Sequence, residues 1–410
     1  MPTITLTRSA KGHYLTPLRR KKRVESIDIV RGAVMIIMAL DHARHWFHHD
    51  AYIYEPTDLS QTNILLFFTR FITHYCAPVF IFLAGISAYL NGVKKTKKEL
   101  AFYLITRGLW LIFVEFAIIS IGNTFNINFP YITLQVIWAI GICMIVMAGL
   151  IYLKRSWILI IGLALIAGHN LLDNFHVYGN GPMAFIWAVL HQPKEFVWGN
   201  TTIFVLFPVL PWIGVMALGY YMGALYRSSF DPETRKRLLL YIGISSVIFF
   251  FILRTFNIYG DPSNWTVQDK PGFSYLSVLN VTKYPPSLLY NLITLGPAII
   301  ILALLDGRPL NSFTRRVAVY GRVPFFYYVV HLYVLHLCAV IGAILADYNW
   351  YDMILSTRRD RTAALKGFGF NLFTTYCVWI GVVVFLYPLC KWFDQYKRNN
   401  QSTQWWLTYF

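Results

Sequence analysis

The sequence is poor in charge: Asp, Glu, Lys and Arg make up 13% of its 410 residues. An average soluble domain carries about a quarter, so the chain has too few charges to dress a soluble globule. Acids are scarcer still, with 19 Asp and Glu against 36 Lys and Arg. Alternating runs of about ten residues, the mark of an outer-membrane barrel, are missing. Internal repeats and low-complexity stretches are missing too, and without an inverted repeat a transporter architecture loses its usual signature. Cysteine is sparse: Cys76, Cys143, Cys338, Cys377 and Cys390 lie in or beside apolar runs. None has metal-ligand spacing, so they read as small core residues and no metal is expected. Basic and polar residues precede the first apolar run, which predicts no cleavable signal peptide.

What is abundant is apolar surface. Hydrophobic residues reach 57% and mean hydropathy is +0.50. They gather in runs near twenty, enough to cross a ~30 Å hydrocarbon core as a helix. Inside lipid every backbone N–H and C=O must be paired within the segment, which favours helices. The runs predict helices over 27–47, 68–92, 101–122, 132–153, 156–172, 202–226, 237–255, 287–306, 317–345 and 369–390. The expected fold class is an all-α integral membrane protein with about ten transmembrane helices. A basic tail over 1–25 and a second tail over 393–410 flank a membrane domain over 26–392. Aromatics at 17% suit interfacial belts of Trp and Tyr.

A net charge of +17 would suggest nucleic acid in a soluble protein. In a membrane protein it reads as topology, and no nucleic-acid partner is expected. Seven cations precede the first helix (Arg8, Lys11, Arg19, Arg20, Lys21, Lys22, Arg23). The loops on that side collect 23 Lys and Arg, against 7 on the other (Lys194, Lys270, Lys283, Arg358, Arg359, Arg361, Lys366). Lys and Arg concentrate on the cytoplasmic side, so both termini are expected there, with an even helix count. The exception is Arg358, Arg359 and Arg361, which read as an outward anion-binding patch or a solvated loop. Two outside loops, 173–201 and 256–286, are long and rich in Gly, Pro, Asn and aromatics. Loops of that length often carry function.

The first helix concentrates the chemistry. It reads Ser26-Ile-Asp28-Ile-Val-Arg31-Gly32, an apolar stretch, then Asp41-His42-Ala-Arg44-His45-Trp46-Phe-His48-His49-Asp50. Ionisable groups in a membrane helix are costly and are functional candidates by default. Asp28 and Arg31 are three apart and can pair. Arg31 and His42 are eleven apart, three turns and ~16 Å along the axis, so they share nearly one face. An imidazole titrates near neutrality and serves as base, acid or nucleophile. Asp41 and Asp50 are the carboxylates within reach to orient it. The bland alternative is an interfacial His cluster (His45, His48, His49) that solvates the helix end.

Arg31-x10-His42 behind Ser26-x-Asp28 resembles the first helix of the transmembrane acyltransferase superfamily. The closer resemblance is to the branch named after the lysosomal heparan-α-glucosaminide N-acetyltransferase catalytic domain. Pro78-Val-Phe-Ile-Phe-Leu-Ala-Gly85, Phe102-Tyr-x3-Arg107-Gly-x-Trp, and Phe207-Pro208-x2-Pro211-Trp212-x-Gly214 with Gly219-x3-Gly223 are similar to its next helices. Lys283-Tyr-Pro-Pro-Ser287 and Gly321-Arg322-x-Pro324-x2-Tyr327-x3-His331-x4-His336 are similar to bacterial members. Together these cover roughly residues 23–340.

The resemblance implies transfer of an acyl group, usually acetyl, from cytoplasmic acetyl-CoA to an acceptor across the membrane. On it, the anionic CoA meets Arg31 (with Asp28 beside it), Arg107 and Arg322, since guanidinium forks bind phosphate bidentately. His42 meets the thioester carbonyl, as nucleophile or as base to the acceptor; both routes stay open. In the lysosomal enzyme the catalytic His lies just beyond the first helix and an Asn stands where His42 stands here. More distant sugar O-acyltransferases carry their His at the His42 position. The catalytic candidates are therefore His42 first, then His49 and His48, with Asp41 beside them. Acceptor-side candidates are His169, Asp173, Lys283, Tyr284 and His331. His169 and Asp173, four apart, can pair and line an acceptor site, or merely cap the helix. His331 and His336 are either site residues or buried and bonded. Arg254 and Asn257 pose the same choice, and Pro208 and Pro211 predict a kink in the sixth helix.

The expected acceptor is an amino sugar or envelope glycan, N- or O-acylated, outside a bacterial inner membrane. The expected partners are membrane lipid, the CoA thioester and the acceptor, with a homodimer allowed. The rival class is a multi-pass transporter of a small anionic or sugar solute. It predicts ionisable residues spread over several helices at mid-membrane, whereas this chain concentrates them on the first.

Overall fold

The computed structural model describes residues 24–358 and 362–409. The seven cations before the first helix, and Arg359 and Arg361 of the exceptional cluster, lie outside these residues; Arg358 rests over the Phe204 ring.

The chain is mostly helical. The helices are α1 (Glu25–Phe47), α2 (Ile64–Thr73), α3 (Cys76–Gly92), α4 (Lys97–Val114), α5 (Ser120–Thr124), α6 (Val136–Leu150), α7 (Arg155–Gly168) and α8 (Pro182–Leu190). Then come α9 (Leu210–Met222), α10 (Pro232–Thr255), α11 (Phe273–Leu279), α12 (Leu288–Leu305), α13 (Ser312–Arg322), α14 (Pro324–Leu345) and α15 (Leu372–Asn400). Among the described residues, seven helical segments are long and apolar enough to cross a membrane. They are Ile64–Gly92, Lys97–Thr124, Arg155–Leu172, Pro232–Thr255, Leu288–Leu305, Pro324–Leu345 and Leu372–Asn400. The protein is thus an integral membrane protein. Its α6 is shorter but apolar, and α1 carries Glu25, Asp28, Arg31, Asp41 and Arg44.

Proline and β-branched residues explain where helices differ from expectation. The segment expected as one helix over 202–226 opens as strand β3 (Thr201–Val205). Thr-Thr-Ile-Phe-Val favours a pleated surface, and β3 sits between β1 (Tyr131–Leu134), parallel to it, and β2 (Lys194–Trp198), antiparallel. The helix starts only at Leu210, so Pro208 and Pro211 mark its entry rather than kink it. The expected helix 132–153 likewise begins as β1. The expected helix 317–345 breaks at Val323: the residue before a proline is pushed out of the α region, and Pro324 opens α14. The single helix expected over 68–92 is interrupted at His74 and Tyr75, between α2 and α3. α15 runs to Asn400, past the expected boundary at 392.

α1 lies inside the bundle, packed against α2, α3, α12, α13, α14 and α15. That placement is why it tolerates charge: Asp28, Arg31, Asp41, His42 and Arg44 are buried or half-buried against protein, and only Glu25 and His45 towards its ends are exposed. Close packing is set by glycine. A Cβ on Gly32 would lie 2.0 Å from the Val317 carbonyl oxygen, and one on Gly321 1.9 Å from that of Asp28, so α1 and α13 touch backbone to backbone. The peripheral α10 and α15 instead present Ile244, Ile248, Val384 and Phe385 outward. At the His48 end of α1, the 256–286 loop meets the connection between α1 and α2: Asn280 Nδ2 donates to Thr57 O at 2.9 Å and Lys270 Nζ to Ser60 O at 3.1 Å.

Candidate functional site

His42, in the fifth turn of α1, meets His331 of α14. His42 Nδ1 and His331 Nε2 are 2.8 Å apart, with the rings stacked at 5.0 Å between centroids. His331 is fully buried, and its Nδ1 lies 2.8 Å from the Tyr327 carbonyl oxygen one turn back. The tautomers of the neutral pair follow from this chain. A carbonyl only accepts, so His331 Nδ1 carries its proton and His331 Nε2 carries a lone pair. His42 Nδ1 must then donate, which leaves the lone pair of His42 on Nε2. Tyr328 stands edge-on to the His42 ring, 6.2 Å between centroids.

His42 also lines a cavity of about 50 Å³ with His45, Trp46, Asn123, Gln135 and Leu332. At ~10–15 Å³ of such volume per water, it holds a group the size of a few waters.

Asp41, the neighbour expected to orient His42, does something else. Its Oδ1 takes Arg44 Nη2 at 3.0 Å and its Oδ2 takes Arg70 Nη1 at 2.6 Å. Both oxygens are spent on guanidinium groups, so the orienting role passes from the carboxylates to His331. Asp50 is likewise committed, to Tyr54 Oη at 2.5 Å and His49 Nε2 at 2.7 Å. Lys283 and Tyr284, expected on the acceptor side, come within electrostatic reach of Asp41 and Arg70 respectively. Arg44 and Arg70 were not singled out in the sequence. The legible signal was an arginine in an otherwise apolar second helix, which needs a carboxylate.

His49 and His48 lie past the end of α1, apart from His42. His49 is half exposed; its Nδ1 faces the Phe370 carbonyl at 3.1 Å and its Nε2 the Asp50 carboxylate. Both nitrogens thus face oxygen acceptors. His48 Nδ1 accepts from Asp50 N at 3.3 Å, and burial pushes its imidazole down to about 4.

At the Glu25 end, Arg31 pairs with Asp28 at 3.6 Å, as the spacing predicts. It also donates to Ser87 Oγ at 2.9 Å and the Gly321 carbonyl at 3.3 Å, tying α1 to α3 and α13. Arg322, next to Gly321, pairs with Asp394 at 3.3 Å. Arg31 and Arg322 are thereby gathered at one end of the bundle. Arg107 is set by stacking: its guanidinium lies 4.7 Å from the Tyr103 ring and 5.4 Å from that of Tyr409.

The remaining candidates sort by partner. His336 brackets α14, its Nδ1 2.8 Å from the Gly122 carbonyl and its Nε2 3.0 Å from that of Met353, between the Trp46 and Phe125 rings. Arg254 donates to the carbonyls of Ser263, Ser277, Val278 and Asn280, and so pins the 256–286 loop. Asp173 pairs with His191 at 3.2 Å and with Asn170 at 2.8 Å, not with His169 as the spacing suggested. Glu115, buried where α4 passes through a π-helical turn (Glu115–Ile119), accepts from Trp138 N at 2.8 Å and so caps α6. It too went unremarked in the sequence, although an acid in an apolar run is a signal.

The profile of one protein family, described as heparan-alpha-glucosaminide N-acetyltransferase, catalytic, matches residues 23–254, more than half of the chain. No curated protein matches the chain. The matched stretch includes Arg31, Asp41, His42, Arg70 and Arg107, while His331, Lys283 and Arg322 lie beyond it.

Proposed function

The chain belongs to the heparan-α-glucosaminide N-acetyltransferase catalytic family, a family of membrane acetyltransferases, and from that premise we propose a reaction and its residues. The protein moves an acetyl group from cytoplasmic acetyl-CoA to an amino sugar or envelope glycan on the far side of a bacterial inner membrane. His42 is the reacting imidazole. The Glu25 end of α1 faces the cytoplasm, with Arg31, Arg322 and Arg107 receiving the CoA phosphates, and Lys283 and Tyr284 flank the acceptor.

The observation that carries this reading is the relay from His42 Nδ1 through His331 to the Tyr327 carbonyl. It holds the His42 lone pair on Nε2, beside a cavity of a few waters' volume. In one route Nε2 attacks the thioester carbonyl carbon, the C–S bond breaks, and the acetyl group rests on the imidazole. The acceptor then attacks that carbonyl, the C–N bond breaks, and the acceptor's proton ends on the CoA thiolate. In the other route Nε2 takes the acceptor's proton as the acceptor attacks the thioester, then passes it to the thiolate. In both, positive charge develops on His42, and the hydrogen bond from Nδ1 to His331 shares it.

Purified protein in detergent, given labelled acetyl-CoA and a panel of amino sugars, is expected to label one of them. No transfer, no CoA release and no CoA binding would sink the reading. Stoichiometric CoA release without acceptor selects the first route. A fully active His42→Ala variant moves the chemistry to His49.

A further inference from the structure

We propose that His169, Asp173 and His191 form a binding site for a divalent transition metal of the zinc class. His169 and Asp173 come from the turn that ends α7, and His191 from the residue that ends α8. The three offer ligand atoms that all lie within 4.8 Å of one another. Two ligands at ~2.0–2.1 Å from a tetrahedral zinc ion stand ~3.3 Å apart. His191 Nε2 and Asp173 Oδ1 stand 3.2 Å apart, already the edge of such a tetrahedron.

The independent sign is an unmet need. His169 and His191 are each 2% exposed. Neither ring nitrogen of His169 makes a well-aligned hydrogen bond, although the Pro286 backbone lies within reach of one of them, and Nδ1 of His191 makes none either. Buried polar groups are nearly always partnered, and a cation among the three groups gives the His169 lone pair something to bind. Two imidazoles and one carboxylate suit zinc, cobalt or nickel; calcium and magnesium prefer all-oxygen sets.

The surroundings are built as metal sites usually are. The second oxygen of Asp173 accepts from Asn170 Nδ2 at 2.8 Å, and Asn170 Oδ1 in turn accepts from Leu288 N at 2.9 Å. Such outer hydrogen bonds hold ligands in place. Three protein ligands leave a fourth position for water or an exogenous group, and a cavity of about 270 Å³ reaches Asp173. A bound metal would fasten α8 and its loop to α7 and, through Asn170, to the start of α12. The other histidine-rich cluster, His48, His49 and Asp50, is weaker, because His49 is half exposed and both its ring nitrogens already face oxygen acceptors. This inference does not depend on the acetyltransferase reading.

The test uses the full chain in detergent, stripped with chelator and titrated with Zn²⁺ alone and with Co²⁺ alone. One equivalent is expected to bind, raising the thermal midpoint, with the visible bands of tetrahedral cobalt. His169→Ala and His191→Gln should weaken binding by more than the ~10–100-fold typical of outer hydrogen-bond changes, and Asn170→Ala by about that amount. A His49→Ala variant should bind as the parent does. If His169→Ala fails to fold, His191→Gln and Asn170→Ala carry the test. Folded parent protein that takes up no stoichiometric metal, or uptake unchanged in His191→Gln and Asn170→Ala, overturns the proposal.

Discussion

Asp41 and His42 are adjacent on α1, yet the two faces they occupy handle polarity in opposite ways. On one, Asp41 is clamped between Arg44 and Arg70, with side chains of 19%, 5% and 10% exposure. On the other, two imidazoles and a carbonyl form a relay that needs no net charge. Taking ions out of water is costly, and a buried ion pair holds only while every charge stays matched. The ionic face is therefore committed to structure. The imidazole face keeps a basic nitrogen at modest cost, because a neutral histidine is cheaper to bury than a carboxylate.

The contrast can be broken from either side. Asp41→Ala should have the largest effect on stability. It strands Arg44 and Arg70, and loss of one partner of a buried pair costs roughly 3–5 kcal/mol. The thermal midpoint and folded yield in detergent report it; a variant as stable as the parent would falsify the structural role. His42→Ala should do the reverse, leaving the midpoint near the parent's while acetyl transfer drops by about 10²–10⁴-fold. A variant that loses stability and activity together would erase the distinction between the faces.

His331→Gln sharpens the relay. Glutamine can still hydrogen-bond to His42 but does not share developing charge as an imidazole does. The expected loss in kcat is on the order of 10²-fold, at the low end for acid–base groups, with KM for acetyl-CoA little changed. An altered pH–rate profile would separate this positioning role from mere packing. Replacing Arg31 and Arg107 together should weaken CoA binding about tenfold or more, since charge-assisted bonds to phosphate are the stronger kind; titration calorimetry measures it, and unchanged affinity removes both from the donor site.

The smallest effect is expected at His48, outside the contrast altogether. Burial holds its folded value at about 4, below the ordinary 6.5. Between those values the unfolded chain binds more protons, so stability is full above pH ~6.5 and falls as pH drops toward 4. The thermal midpoint should decline from pH 7 to pH 5, and His48→Gln should flatten that slope.

Much of the fold was legible because lipid imposes one rule, that apolar runs near twenty residues must be helical. Helices do occupy all ten of the expected segments, at least in part. The misread boundaries, at Thr201–Val205 and at Val323, are places where strand pairing or a proline overrode a long apolar pattern. The Asp28–Arg31 pair was legible too, because its partners lie on one helix. Arg70, His191 and the true partner of Asp41 were not. Each belongs to a group assembled from distant segments, and spacing along one helix says nothing of a second helix's register.

What the amino-acid order determined by itself was the membrane setting, the family and the collection of ionisable groups on α1. The setting and the ionisable groups follow from composition and local spacing, and the family from the likeness of whole motifs; all of these survive without a third dimension. The tertiary structure alone decided which partners those groups meet. By packing α14 against α1 it brought His331 to His42, 289 positions away, and by packing α2 there it gave Asp41 to Arg70. The physical reason is that hydrogen bonds and ion pairs act over about 3 Å, a distance that only packing can close between residues so far apart in the chain.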